Sequence, residues 1–199
     1  MRELTIAILA GGESTRMGSD KTLARLLGRP LLDYVVARLR RLGSEIILIT
    51  NAPNDHTRFG LPMFGDILPG KGPLGGIYTA ISHAASRHVL VVAGDMPFLN
   101  RELLRYMIDL APGFDVVAPR MCGRTEGLHA IYGKGCLDPI RAHLEGNRLK
   151  LIGFYDDVRV RYVDEAEIDR FDPDHRSFFN INTLADLEAA QRMAESDGL

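Results

Sequence analysis

"TIAILAGGESTRMGSDK", residues 5–21, is the stretch that decides the fold. Its first five residues are nearly continuously apolar, without alternation, the pattern of a strand covered on both faces, as in a parallel sheet. A loop follows that carries Gly11, Gly12 and Gly18 together with Arg16 and Lys21. Ligands of open α/β sheets bind outside the carboxyl ends of the strands, so a ligand is expected at this loop.

The same apolar pattern recurs outward from it, in "EIILIT" (45–50), "HVLVVAG" (88–94) and "DVVAP" (115–119), with further strands at "LHAIYG" (128–133) and "VRVRYV" (158–163). Between them lie helical periods. "PLLDYVVARLRRL" (30–42) has apolar residues at 31, 32, 35, 36, 39 and 42, a proline at its start, and Gly43 placed as a helix terminator. "GGIYTAISHAAS" (75–86), "NRELLRYMIDL" (100–110, with Asn100 as cap), "CLDPIRAHLEG" (136–146) and "LADLEAAQRMA" (184–194) complete the set. Apolar strands alternating with helices predict an α/β fold, a mostly parallel sheet covered on both sides, in a single domain over 1–199. Segment 60–76 reads as a long loop, and 119–127, "PRMCGRTEG", as another loop or a lid.

Bulk properties narrow the function. With 46% hydrophobic and 25% charged residues and a formal net charge of −2, the chain lacks the basic surface that coats nucleic acid. No apolar run approaches the roughly 20 residues of a membrane span, and "LTIAILA" is short for a signal segment. Cys122 and Cys136 show neither a CxxC nor a zinc spacing. The expectation is a reduced, cytoplasmic protein without nucleic-acid or membrane partners.

Three loops fall at predicted strand ends. In the first, GxGxxG fails because Glu13 and Arg16 stand where glycines would, and the Walker pattern fails because Ser19 follows Gly18. Phosphate holding still fits: Gly11 and Gly12 allow close backbone approach, while Arg16 and Lys21 supply charge. Charge-assisted bonds contribute about 1.5–3 kcal/mol each, against about 0.3–1 for a surface helix dipole, so Arg16 and Lys21 would dominate. A glycine turn with two solvated cations fits the loop equally well. In "AGDMPF" (93–98), Asp95 at a strand end suits Mg²⁺, which takes one or two carboxylates plus substrate phosphates; a turn or capping aspartate is the plainer alternative. "GKGPLGGI" (70–77) could bring backbone groups to a base edge or be a surface loop, and in "NINTLADL" (180–187) Asn182 or Thr183 could cap the last helix while Asn180 and Asn182 face a site.

Together these motifs resemble the molybdenum cofactor guanylyltransferase (MobA) family. "LAGGESTRMGSDK" is similar to its leading motif LAGG-x-S-x-RMG-x-DK, and "GPLGG" (72–76), "DMP" (95–97) and "NINT" with Asp186-Leu187 follow in the same order. The resemblance implies a three-layer, Rossmann-like fold of the nucleotide-diphospho-sugar transferase type. It also implies transfer of GMP from GTP to the phosphate of molybdenum-molybdopterin, with Mg²⁺ as cofactor and pyrophosphate released. Carried over by position, Leu9, Ala10, Gly11, Gly12, Asn51 and Asp66 would contact the nucleotide, Arg16 and Lys21 its phosphates, and Gly72 and Gly76 the guanine side. Asp95 would hold Mg²⁺ and, with Arg16 and Lys21, form the catalytic set. Arg148, Asn180 and Asn182 would face the pterin. The partners implied are proteins that deliver molybdopterin and molybdoenzymes that receive the product. The chain departs from the family at Gly127, where a proline is frequent, and at "NRLK" (147–150), where a basic pair is frequent. Two other readings stay open: a sister cytidylyl- or sugar-phosphate nucleotidyltransferase, and a nucleotide-binding regulator without catalysis. Gly11 argues for guanine over cytosine, and the pairing of Lys21 with Asp95 argues for catalysis.

Overall fold

The computed structural model describes residues 3–11 and 21–196. Gly12 and Arg16, two of the site residues expected from the sequence, lie outside the described residues. The chain runs through β1 (Leu4–Leu9), β2 (Arg25–Leu26), β3 (Arg29–Pro30), α1 (Leu31–Leu39), β4 (Glu45–Ile49) and α2 (Pro53–His56). It continues with β5 (Met63–Phe64), α3 (Gly72–His83), β6 (His88–Ala93), α4 (Arg101–Leu110), β7 (Val116–Met121) and β8 (Arg124–Thr125). The last elements are β9 (His129–Gly133), α5 (Leu137–Glu145), β10 (Val160–Asp164), α6 (Glu165–Ile168) and α7 (Leu184–Ser196).

Among the described residues one sheet has the order β10-β7-β9-β6-β1-β4-β5, with β8 added to β7 as a hairpin. β1 pairs in parallel with both β4 and β6, β4 with β5, and β7 with β10. β9 is inserted antiparallel between β6 and β7. The hairpin explains the insertion. Cys122 and Gly123 both take positive φ, 47° and 74°, the conformation of a tight hairpin turn, and send the chain back along the sheet. Segment 119–127, expected as a loop or lid, is therefore mostly strand.

The strands are apolar on both sides because both sides are covered. Leu4, Ile6 and Ile8 of β1 join Leu32, Val35 and Leu39 of α1 and Leu103, Leu104 and Met107 of α4 on one face. Ala7 of β1, with Val89 and Val91 of β6, joins Leu74, Ile77 and Ile81 of α3 and Ile140 and Leu144 of α5 on the other. Fully burying each large aliphatic side chain contributes about 1.5–3 kcal/mol, so these two layers hold the fold. α7 closes a smaller third cluster, with Ala190 and Ala194 against Leu26, Leu31, Tyr34, Phe98 and Ile181.

Helix ends follow the expected chemistry in part. Asn100 caps α4, its Oδ1 accepting the N–H groups of Glu102 and Leu103 at 2.9 and 3.1 Å. Gly43 does not terminate α1, which ends at Leu39. It is required by proximity instead: a Cβ there would stand 2.4 Å from the carbonyl oxygen of Leu4. The expected long loop 60–76 contains the edge strand β5 and the start of α3. Gly72 opens that helix with φ +60°, and Pro73 follows in its first turn, where a missing N–H is harmless.

Candidate active site

Four strands end together. Leu9 pairs with Ile49 on one side and Ala93 on the other, and Ile49 pairs with Phe64. The ladder continues past these ends: Ala10 N–H donates to Ile49 at 2.9 Å, Gly94 N–H to Leu9 at 3.0 Å, and Thr50 N–H to Phe64 at 2.9 Å. Residues 10–11, 50–51, 65–66 and 94–95 therefore emerge side by side on one edge of the sheet.

At the β6 end, Asp95 is half-buried, and its Oδ1 is a buried oxygen without a hydrogen-bond partner among the described residues. Burial holds its carboxyl above the usual carboxylate range, with the nearby Lys21 charge opposing the shift. The Lys21 ammonium donates to Asn182 Oδ1 at 2.8 Å, across 161 positions of sequence. Asn182 is set by the start of α7. Asp186 Oδ2 accepts the backbone N–H groups of Asn182 and Thr183 at 2.9 and 2.8 Å, and Thr183 Oγ1 accepts that of Asp186 at 3.1 Å. Thr183 thus supplies the cap, leaving the Asn182 side chain to Lys21. Ile181 N–H donates to the Asp95 carbonyl at 3.1 Å, which ties the closing segment to the same strand end. Asn180 donates its amide to the Phe178 carbonyl at 3.2 Å.

Asn51 and Asp66 form a pair at the β4 and β5 ends. Asn51 Nδ2 donates to Asp66 Oδ2 and Asp66 N–H donates to Asn51 Oδ1, both at 2.8 Å. Gly11 stands over β4: among the described residues, the nearest atoms to a Cβ on it would be backbone atoms of Ile49, Thr50 and Asn51, at 3.7–3.9 Å, an ordinary contact. Space among the described residues does not demand glycine there. Gly76 is different, since a Cβ would stand 3.2 Å from the Leu9 side chain, so its bareness lets α3 approach β1. Gly72 and Gly76 both lie within α3 rather than in a free loop. Arg148 is exposed beyond α5, and its neighbour Asn147 accepts a hydrogen bond from Lys71 at 3.1 Å, beside the start of α3.

The structure thus groups Lys21, Asp95 and Asn182 on one side of the edge, and Asn51, Asp66 and Gly11 on the other. Between them are two groups that spacing along the chain does not reveal, Thr22 and His56, joined by a hydrogen bond across 34 positions. Among the described residues no three His, Cys, Asp or Glu side chains cluster as a metal cage. Mg²⁺ takes one or two protein carboxylates and draws its remaining ligands from phosphate and water, and the Asp95 oxygen that has no partner among the described residues fits that role. A surface cavity of about 320 Å³ beside α1 and α4 is a separate feature. Part of its polar lining is already engaged: Arg101 holds the carbonyls of Ala37, Arg38 and Arg40, Asn100 caps α4, and Asp172 accepts the N–H groups of Arg176 and Ser177.

The chain is similar to known proteins over nearly its whole length. The model of the MobA-like NTP transferase domain matches residues 6–158. A protein of Pelotomaculum thermopropionicum named "Probable molybdenum cofactor guanylyltransferase" is 39% identical over 196 residues, covering 98% of this chain and 96% of its own. The "Molybdenum cofactor guanylyltransferase" of Desulfosudis oleivorans is 33% identical over 193 residues, with 96% of each chain covered. The crystal structure of molybdopterin-guanine dinucleotide biosynthesis protein A from Archaeoglobus fulgidus superposes with a TM-score of 0.86 at 26% identity, covering 96% of this chain and 99% of that one. This chain, whose sheet edge brings Lys21, the half-buried Asp95 and Asn182 together and which is related to these proteins over nearly its whole length, belongs to the molybdenum cofactor guanylyltransferase family, enzymes of the nucleotidyltransferase class.

Proposed function

We propose that this chain transfers GMP from GTP to the terminal phosphate of molybdenum-molybdopterin, forming the guanine dinucleotide cofactor and releasing pyrophosphate, with Mg²⁺ required. The observation that carries the reading is the meeting of Lys21, Asp95 and Asn182 at the end of β6. Nucleotide binding alone needs no half-buried carboxylate beside a lysine with one oxygen left without a partner among the described residues.

The nucleotide lies across the edge, with its base toward Leu9, Ala10, Gly11, Gly12, Asn51, Asp66 and the start of α3 at Gly72 and Gly76. Its phosphates point toward Arg16 and Lys21. An oxygen of the pterin phosphate attacks the α-phosphorus, a new P–O bond forms, and the bond from the α-phosphorus to the bridging oxygen breaks in line. That oxygen leaves with pyrophosphate. The attacking phosphate is already anionic, so no general base is needed, and positioning with charge stabilisation supplies most of the catalysis. Lys21 and Arg16 stabilise the departing pyrophosphate. Asp95 would hold Mg²⁺, which when bound offsets charge on the phosphates. Asn182 aims the Lys21 ammonium, and Asn180 and Arg148 are the remaining candidates for the pterin side. Two free thiols, Cys122 and Cys136, suit work in a reducing compartment, the cytoplasm.

The test is release of pyrophosphate by the purified protein with Mg²⁺, molybdopterin carrying molybdenum, and each nucleoside triphosphate in turn. GTP is the expected substrate. Asp95→Asn and Lys21→Ala are each expected to lower turnover by about 10² or more while the protein stays folded. Preferential use of CTP would overturn the guanine assignment, and near-normal turnover in either variant would overturn that residue's role. Binding of Mg·GTP without pyrophosphate release would favour a regulator.

A further inference from the structure

A buried polar link joins the two sides of the edge. His56, the last residue of α2, is fully buried, and Thr22, in the turn that follows Lys21, is nearly so. His56 Nδ1 lies 3.1 Å from the Ala52 carbonyl, and its Nε2 lies 3.1 Å from Thr22 Oγ1. A carbonyl only accepts, so Nδ1 carries a hydrogen toward Ala52, and the second ring nitrogen shares a hydrogen bond with the Thr22 hydroxyl. The Thr22 methyl is seated with equal closeness. A Cβ on Gly94 would stand 2.8 Å from Thr22 Cγ2, so Thr22 fills the space left by glycine immediately before Asp95. Three pieces of the site therefore meet at Thr22: Lys21 by the chain, Asp95 through Gly94, and the loop of Asn51 and Ala52 through His56.

We infer that His56 is a positioning residue, acting through Thr22 to fix Lys21 relative to Asp95 and to the loop that carries Asn51. The inference rests on the transfer reading, which assigns Lys21 to the departing pyrophosphate. What the polar pair adds is direction: the hydroxyl is tied to Nε2, and the ring is turned by Ala52, so the backbone entering Lys21 is held in one setting. A misplacement of about 1 Å at a group that touches the leaving phosphate is enough to cost up to about 10² in rate.

Thr22→Val keeps the shape and the methyl and removes the hydroxyl; Thr22→Ser keeps the hydroxyl. Melting curves verify folding, and two functional readouts follow: kcat and KM for GTP in the transfer assay, and the Kd of Mg·pyrophosphate by calorimetry. Thr22→Val is expected to lower kcat about tenfold or more, with KM for GTP within about threefold of the parent. It is expected to weaken pyrophosphate binding, and Thr22→Ser is expected to restore both. His56→Phe is expected to reproduce the loss, and the double variant with Thr22→Val to lose no more than either single one, because the two residues act as one unit. A folded Thr22→Val protein with parental kcat and pyrophosphate affinity would overturn the inference, as would losses that multiply in the double variant. Should His56→Phe not fold, the Thr22→Val and Thr22→Ser pair decides alone. If the parent releases no pyrophosphate from any nucleotide, the transfer reading fails, while the pyrophosphate titration of the same variants still decides the inference. A parent that binds no pyrophosphate overturns both.

Discussion

His129 is a fully buried side chain in the core of the sheet, with no hydrogen bond to either ring nitrogen among the described residues. It pairs with Val92 in the ladder and packs its ring 4.8 Å from that of Phe178. Burial pushes its pKa down from 6.5 to about 3, so the folded protein holds it neutral. Because the folded value lies below the unfolded one, the unfolded chain binds the proton more tightly. The contribution to stability is complete above about pH 6.5 and is lost as pH falls toward 3, at up to about 1.4 kcal/mol per pH unit. Chemical denaturation at pH 7 and pH 4.5 is expected to show a steep acid loss in the parent and a smaller one in His129→Leu. An equal loss in both would show that His129 does not govern acid sensitivity. Gly11 is a second single position with a measurable claim. The fold tolerates a methyl there, so Gly11→Ala is expected to leave Tm within about 2 °C while lowering the use of GTP relative to CTP. Unchanged selectivity would remove Gly11 from base choice.

At the scale of elements, the turn between α1 and β4 shows how closely the layers are fitted. A methyl at Gly43 would collide with the main chain of β1 at the Leu4 carbonyl, a group that cannot rotate away. Gly43→Ala is expected to destabilise the protein by about 1–3 kcal/mol in urea titrations, in contrast with the silent Gly11→Ala. A Gly43→Ala protein as stable as the parent would mean that the link shifts freely. The same comparison marks what was legible in the sequence. β1, β4, β6 and β7 announce themselves because a strand covered on both faces must be apolar throughout, and Asn100 because a cap lies at a fixed place before its helix. β5 is two half-buried residues on an edge, too short to carry a period, and Gly72-Pro73 reads as a turn although it opens α3. Lys21, Asp95 and Asn182 could be named from their motifs, whereas the Thr22–His56 bond could not, since no spacing joins residues 34 apart. Gly43 is legible as punctuation but not as the close contact it is, which only the register of β1 against β4 creates.

Across the whole molecule, the site is assembled from both ends of the chain. Lys21 and Asn182 meet across 161 positions, and the closing segment reaches Asp95 through Ile181. The matched family domain ends at residue 158, so Asn180, Asn182 and α7 are added to its edge from outside that stretch. A ligand seated there touches four strand ends and the closing segment at once, and every one of those contacts is lost on unfolding. Its binding energy therefore adds to the stability of the entire sheet by mass action. GTP with Mg²⁺ at about 100 times its Kd corresponds to about 2.7 kcal/mol, or a rise in Tm of about 5–10 °C for a chain of this size. CTP at the same concentration is expected to give a much smaller rise, and Lys21→Ala to diminish the GTP rise without lowering the ligand-free Tm appreciably. Equal shifts with GTP and CTP would place base choice outside this edge. A full GTP shift in Lys21→Ala would show that the phosphates are held elsewhere, and the absence of any shift with any nucleotide would show that this edge is not where the nucleotide binds.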